Sequence, residues 1–181
     1  MARSNSNARL FFGLAGSIVL LDAFTKILAV DQLVPSHLPR RVIGETLRLT
    51  LVFNPGAAFG LHLGPFSRWI FTALTIGALV LLWELYRTTR TGDMLRTLAL
   101  SLVCGGALGN LVDRLKSGRG VVDFIDVGVG SVRWPTFNVA DMAVTCGAVL
   151  LAIVLWKEDT AAAAAGKSGV QASGSDAAVQ G

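Results

Sequence analysis

Four long apolar stretches constrain this chain more than any other feature of its sequence. They cover about residues 10–30, 68–86, 95–113 and 138–156. A helix needs roughly 20 mostly apolar residues to cross the ~30 Å hydrocarbon core of a bilayer. The composition agrees, since 52% of the residues are hydrophobic and only 15% are charged. The sequence therefore predicts an all-α membrane protein with four transmembrane helices in one domain, residues 9–157.

The N-terminus argues against a cleaved signal peptide, and the charge distribution argues against a nucleic-acid-binding protein. Residues 1–8 are polar, and Arg3 and Arg9 precede the first apolar stretch as in a signal peptide. That stretch is too long and lacks a convincing cleavage site, so we expect an uncleaved first helix. The net charge of +4 is scattered without an aromatic platform, which argues against a nucleic-acid partner. Cys104 and Cys146 lack metal-ligand spacing, and we expect both to be buried thiols.

The connections between the helices differ in length and place most of the polar chain on one side. The connection "RTTRTGD" is short, so the second and third helices should be antiparallel neighbours. The long loops 31–66 and 114–137 leave from the same side and contain the strand-like segments "RVIGETLRLTLVFN" and "VVDFIDVGVG". We therefore expect a small β-rich loop region at one end of the helices. Residues 158–181 are small and polar, and we expect a disordered tail.

Polar side chains interrupt the apolar helices at one common depth. At 1.5 Å per residue, Asp22, Asn110 and Asp141 lie about 20 to 25 Å from the basic residue at the opposite end of their helices. An Asp or Lys at the bilayer centre costs about 2.5–3.5 kcal/mol, which makes an accidental polar layer improbable. Asp22 and Lys26 are four residues apart and can form an ion pair. That pair either only holds helices together or belongs to a functional site.

The third helix carries "GGALGNLVDR", which combines close packing with polar groups. Asn110, Asp113 and Arg114 share one face at the helix end. The small residues of this segment allow a neighbouring helix to approach closely: Gly105, Gly106 and Gly109.

Several acids at this depth are candidates for a proton-sharing pair. Two carboxyl groups held together in a partly dry site cannot both ionise comfortably, so they share a proton. Such a pair can activate water for attack on an amide and protonate the leaving nitrogen. Asp141 is one candidate, with Asn138 beside it, and the residues alone leave three acids that can pair with it: Asp113, Asp123 and Asp126.

Other chemistries find little support in the sequence. His37 and His62 are the two histidines, both lie in a loop, and no HExxH motif exists, so we predict no metal site and no cofactor. Ser101 has no histidine partner. A small proton- or cation-coupled transporter is the alternative from another class. It is disfavoured because the acids lie toward one face beneath long loops rather than near the midplane.

Five blocks of the sequence, taken in order, resemble lipoprotein signal peptidase (signal peptidase II) of bacteria. They are "DAFTK", "NPGAAFG", "GGALGNLVDR", "VVDFI" and "FNVAD". The resemblance covers about residues 10–156. It implies an aspartyl endopeptidase of the inner membrane that removes the signal peptide of diacylglyceryl-modified prolipoproteins just before the lipidated cysteine. It also implies cytoplasmic termini, an active site near the periplasmic face and neither metal nor cofactor; we expect a monomer in contact with membrane lipid.

The resemblance also assigns expected roles to single residues. It selects Asp123 as the catalytic partner of Asp141, and it leaves Asp126 without a role, as a solvated loop acid. The loop containing Gly56 and Gly60 is expected to cover the scissile bond. Of the remaining residues carried over, Asn110 and Asn138 would hydrogen-bond around the two acids. Asn54, Asp113 and Arg114 would support the site or contact the lipopeptide. Asp22 and Lys26 would brace the first helix, and Gly105 would allow it to pack closely.

Overall fold

The fold consists of four long helices and a small sheet. The computed structural model describes residues 5–56 and 64–179. The helices are α1 (Asn5–Gln32), α2 (Ser67–Arg87), α3 (Met94–Lys116) and α4 (Val139–Val179), with a short 3₁₀ turn at Gly64–Phe66 before α2. Each is long and apolar enough to cross a membrane, over the spans Ser6–Gln32, Gly64–Arg87, Met94–Lys116 and Val139–Thr160. The predicted four-helix membrane fold is confirmed. The first three helices extend beyond both predicted ends, whereas α4 begins one residue later than predicted and extends only at its C-terminal end.

Helix α3 lies at the centre, where it packs against α1, α2 and α4. A Cβ atom on Gly105 would lie 3.0 Å from Ile18 of α1, and one on Gly106 would lie 2.8 Å from the side chain of Val144 of α4. Because neither position has room for a side chain, the glycines set the spacing of the three helices. The sequence correctly placed close packing in this segment.

The predicted β-rich region is an antiparallel sheet of four strands in the order β1-β2-β3-β4. The strands are β1 (Arg40–Ile43), β2 (Leu47–Asn54), β3 (Val121–Val129) and β4 (Val132–Arg133). In the register between β2 and β3, Val52 lies opposite Asp123 and Asn54 opposite Val121. Strand β3 follows α3 after a short turn, so the sheet is held close to the end of the central helix.

A hydrophobic cluster fixes the sheet to the end of α1. Leu51 of β2 and Val122 and Phe124 of β3 are buried against Ala29 and Leu33. The aliphatic contacts stabilise this arrangement because they remove apolar surface from water at the boundary of the membrane span. We call this end of the molecule the sheet end.

The short connection between α2 and α3 lies at the opposite end. Asn7 closes it, since its amide donates to the carbonyl of Arg90 at 3.0 Å and its side-chain oxygen accepts from the Gly92 N–H at 3.1 Å. Phe11 of α1 stacks on Tyr86 of α2 with ring centroids 4.0 Å apart. The structure bears out the prediction that α2 and α3 are antiparallel neighbours.

Two expectations about α4 differ from the structure. We expected residues 158–181 to be disordered, whereas the helix continues to Val179. It passes through five consecutive alanines at residues 161–165, and alanine has the highest helix propensity of all residues. We also expected Cys146 to be buried, and it is exposed while Cys104 is buried. The neighbouring Gly147 faces α3 closely, so a side chain one position earlier points away from that contact.

Candidate active site

Asp123 lies on β3 and is almost fully buried, with 2% of its surface exposed. One carboxylate oxygen accepts a hydrogen bond from the amide of Asn54 at 3.1 Å. The other accepts from the amide of Asn138 at 2.7 Å. Antiparallel pairing of β2 and β3 brings Asn54 to this position, since it lies on the neighbouring strand two residues from the partner of Asp123.

Asp141 lies in the first turn of α4 and is half-buried. Its carboxylate accepts from the backbone N–H of Asn138 at 3.2 Å, while the side-chain oxygen of Asn138 accepts from the backbone N–H of Asp141 at 2.9 Å. This reciprocal pair is a capping box, which fixes both side chains at the start of the helix. A negative charge at this position is also favoured by the helix dipole.

Asn138 connects the two acids, because it contacts Asp141 in the capping box and donates to Asp123. Its amide also donates to the side-chain oxygen of Asn110 at 3.0 Å, and the amide of Asn110 donates to Asp141 at 2.7 Å. The four side chains come from α3, β3 and the start of α4. They form a continuous network in which each acid is held by amide donors.

Burial determines the protonation chemistry of Asp123. Removal of the carboxyl group from water, with a further contribution from the negative charge of Asp141, raises the pKa of Asp123 to about 7. The hydrogen bonds from Asn54 and Asn138, followed by the charge of Lys26, act in the opposite direction and limit the increase. A carboxyl group with such a pKa can give up or accept a proton near neutral pH.

A second cluster surrounds Lys26, which is 4% exposed. Its ammonium group lies 2.7 Å from Asp22 and 2.8 Å from Asp113, and it donates to the side-chain oxygen of Asn110 at 2.9 Å. Three acceptors therefore satisfy its three donors. The Asp22–Lys26 ion pair expected from the spacing of four residues is confirmed.

The acids of this cluster also bind the backbone of neighbouring elements. Asp22 accepts from the N–H of Ala140 at 2.9 Å, and Asp113 accepts from the N–H of Val122 at 3.1 Å. The cluster thereby joins α1, α3, α4 and β3. Ala140 directly precedes Asp141 in the chain, and Val122 directly precedes Asp123. The interpretation that Asp22 and Lys26 hold α1 in place agrees with these contacts.

Arg114 and Gly56 border the same site. Gly56 donates its N–H to the side-chain oxygen of Asn54 at 3.0 Å, and Arg114 is directed at the Gly56 carbonyl at 3.4 Å. The Nε atom of Arg114 is buried without a hydrogen-bond partner among residues 5–56 and 64–160. Gly60, expected in the covering loop, lies outside the described residues.

Asp126 was expected to be a solvated acid, and this expectation is wrong. The residue is 8% exposed and forms an ion pair with Arg133 at 2.7 Å. Its second oxygen accepts from the hydroxyl of Thr50 at 3.1 Å. Since strand β3 is covered on both faces, an acid at this position is enclosed although it lies outside the helices. No alternation in the sequence indicated the pairing with Arg133.

Comparison with known proteins agrees with this architecture. The family model described as signal peptidase (SPase) II matches residues 14–157. The chain belongs to the signal peptidase II family. The matched region contains all four membrane spans except the first few residues of the first and the last few of the fourth, and it contains the whole sheet.

Relatives in several bacteria support the same family. A lipoprotein signal peptidase of Cupriavidus taiwanensis is 43% identical over 156 residues, which are 84% of this chain and 85% of the relative. One of Rhodococcus jostii is 43% identical over 150 residues, 80% and 71% of the two chains. A solved structure, a bacterial membrane enzyme obtained by the in meso method at 2.3 Å resolution, has a TM-score of 0.72 and 32% identity, covering 81% of this chain and 87% of the other.

The structure brings together nearly all residues that the resemblance to the signal peptidase II family had singled out. Asp123, Asp141, Asn110 and Asn138 form one network, and the Lys26 cluster adjoins it through Asn110. The amide of Asn54, a residue expected near the lipopeptide, donates to Asp123. Among residues 5–56 and 64–179 there is no group of histidines, cysteines and acids that could hold a metal ion.

Proposed function

We propose that this member of the signal peptidase II family is an aspartyl endopeptidase that removes the signal peptide of diacylglyceryl-modified prolipoproteins. Cleavage occurs just before the lipidated cysteine. The observation that carries the proposal is the linkage of Asp123 and Asp141 through Asn138. One acid is buried and the other is half-buried at the start of a helix, so they differ in environment as an acid and a base must.

The different surroundings of the two acids support distinct roles. Asp123 has a pKa of about 7 and can hold a proton at neutral pH. Two hydrogen bonds stabilise the ionised form of Asp141, since its carboxylate accepts from the amide of Asn110 and from the backbone N–H of Asn138. Asp141 is therefore the general base and Asp123 the general acid.

The reaction follows from these roles. Asp141 removes a proton from a water molecule, and the water oxygen forms a bond with the carbonyl carbon of the scissile amide. Asp123 donates its proton to the amide nitrogen as the carbon–nitrogen bond breaks. The products are a free carboxyl group on the signal peptide and a free amine on the lipidated cysteine. No covalent intermediate with the enzyme is needed.

The same proposal includes orientation and substrate contacts. Both termini lie in the cytoplasm, and the sheet end faces the periplasm at the surface of the bacterial inner membrane. The substrate's signal helix lies beside α3, and its acyl chains remain in the lipid. The buried Nε of Arg114, which has no partner among the described residues, is a donor for a carbonyl group of the lipopeptide. The enzyme acts as a monomer.

A gel-shift assay on a purified diacylglyceryl-modified prolipoprotein in detergent tests the proposal. Asp123→Asn and Asp141→Asn should each abolish cleavage while the protein keeps its helix content and elution volume. Asp31→Asn is the matched control, because Asp31 is an exposed acid at the sheet end of α1. Product sequencing should find the lipidated cysteine at the new N-terminus. If Asp123→Asn cleaved the substrate as fast as the wild type, the proposed catalytic pair would be contradicted. Proton-coupled uptake into vesicles without proteolysis would favour a transporter instead.

A further inference from the structure

Three basic residues contact or flank Ser117, in the turn that follows α3. Arg68, in the first turn of α2, donates from its guanidinium to the carbonyl of Ser117 at 2.9 Å. Arg119 donates its backbone N–H to the hydroxyl of Ser117 at 3.1 Å. Lys116 directly precedes Ser117 and is exposed. We call Arg68, Lys116 and Arg119 the basic corner.

The basic corner carries positive charge that is not paired with an acid in the part of the chain that the structure describes. Among residues 5–56 and 64–160, none of its three cations forms an ion pair. The cations of the sheet differ, since Arg41, Arg48 and Arg133 pair with Glu45 or Asp126. A turn flanked by arginine and lysine residues without a paired carboxylate suits a phosphate group, whose oxygens accept several charged hydrogen bonds.

The position of the basic corner corresponds to the headgroup level of a membrane. The Arg68 guanidinium lies 4.5 Å from the ring centroid of Trp69, which is 52% exposed. Tryptophan and arginine are typical of the boundary between hydrocarbon and water. Only 6% of the apolar window of α2 is buried within the protein, so lipid must cover most of this helix. The anions found at this level of a bilayer are lipid headgroups.

The basic corner is also connected to the candidate active site. The guanidinium of Arg119 lies 3.9 Å from the ring centroid of Phe53. Phe53 precedes Asn54, whose amide donates to Asp123. Gly120 packs directly on the carbonyl of Asn54, where no Cβ atom has room. A headgroup held by Arg119 would therefore lie close to the end of β2, where Asn54 contacts the buried Asp123.

We propose that the basic corner binds the phosphate group of an anionic phospholipid in the leaflet beside the sheet end. The acyl chains of this lipid lie along the exposed side of α2, and its phosphate is held by Lys116, Arg119 and Arg68. This site is separate from the peptide-cleaving groups, and its existence does not depend on the proposed reaction.

Quenching of Trp69 fluorescence by brominated lipids tests the site directly. In a Trp83→Phe, Trp134→Phe, Trp156→Phe background, Trp69 reports on the lipid beside Arg68. The protein is placed in phosphatidylcholine bilayers that contain either brominated phosphatidylglycerol or brominated phosphatidylcholine. We expect stronger quenching by the anionic lipid. Lys116→Gln and Arg119→Gln should each lower this preference about fivefold, the effect of one basic charge near an anionic surface.

Arg40→Gln is the matched control, since Arg40 is an exposed cation on β1 that forms no ion pair with the described residues. It should leave the preference unchanged. Circular dichroism and cleavage of the prolipoprotein by the background protein establish that the folded enzyme is measured. Equal quenching by the two lipids would overturn the proposal. An equal effect of all three variants would overturn it too, since that result indicates only the general surface charge.

Two further outcomes separate a lipid from other anions. If millimolar inorganic phosphate abolished the preference at constant ionic strength, the basic corner would be a site for free phosphate, and the lipid proposal would be wrong. If the lipids quenched equally while Lys116→Gln and Arg119→Gln raised KM only for substrates with acidic residues after the cysteine, the basic corner would bind the substrate instead. Persistence of the lipid preference in Asp123→Asn would support a site independent of catalysis.

Discussion

Lys26 and Asn110 share a 2.9 Å hydrogen bond although 84 positions separate them in the chain. Through this bond a buried cation on α1 is connected to an amide that donates to Asp141 on α4. The ammonium group withdraws electron density from the Asn110 oxygen, which strengthens the hydrogen bond donated by the amide nitrogen. The arrangement makes Lys26 both a structural and an electrostatic neighbour of the candidate active site.

Lys26→Met should destabilise the protein by about 3–5 kcal/mol, because the buried Asp22 and the partly buried Asp113 lose their shared cation. The transition temperature in detergent, followed by circular dichroism, measures this effect. Glu84→Gln provides the comparison, since it breaks an exposed ion pair with Arg87 and should cost less than about 1 kcal/mol. Equal transition temperatures for the two variants would show that the Lys26 cluster does not stabilise the fold.

The pH dependence of cleavage should report the pKa of Asp123. If this residue donates the proton, kcat/KM falls tenfold per pH unit above about pH 7. The Asn54 amide stabilises the ionised carboxylate, so Asn54→Ala raises the pKa and moves the decline to higher pH. A gel-shift time course at a series of pH values checks this direction. A kcat/KM that instead rose with pH through about 7 would reverse the roles of the two acids.

The pH dependence of the free energy of unfolding should also report the raised pKa of Asp123. The pKa of Asp123 rises from 3.8 to about 7 on folding, so the native protein binds more protons than the unfolded chain between these values. The free energy of unfolding therefore decreases as the pH rises from about 4 to about 7 and then becomes constant. Asp123→Asn should remove this component. An increase in stability over the same interval, lost in the variant, would contradict the raised pKa.

Gly106→Ala should separate α3 from α4 and reduce cleavage, because the new methyl group would collide with Ala140 and Val144. The displacement moves the first turn of α4, which carries Asp141. We expect a destabilisation of about 1–3 kcal/mol from overpacking. Gly77→Ala on α2 is the matched control, since no atom lies within 4 Å of its added methyl group. Thermal transitions and cleavage rates are compared for both.

Asp126→Asn should weaken the sheet without removing activity. It replaces the ion pair with Arg133 by a neutral contact, and we expect a loss of about 1–3 kcal/mol. A double-mutant cycle with Arg133→Gln measures the coupling through transition temperatures. Additive effects of the two substitutions would show that the pair does not contribute. Complete loss of cleavage by a folded Asp126→Asn would place Asp126 in the reaction.

The sequence was sufficient for features that depend on local spacing. Runs of about 20 apolar residues predict the four spans, because the bilayer thickness fixes their length. The depth of Asp22, Asn110 and Asp141 follows from the constant rise of a helix. The Asp22–Lys26 ion pair follows from the helical repeat, which brings residues four apart onto one face.

Spacing alone left three acids open as the partner of Asp141; the family resemblance selected Asp123, and the tertiary structure gives the physical reason. Asp113 is bound by Lys26 and by the N–H of Val122, and Asp126 by Arg133. Asp123 is the acid that shares Asn138 with Asp141. This choice depends on the register of β2 on β3 and on the packing of α3 against α4. Such contacts join residues far apart in the chain, and no local periodicity of the sequence specifies them.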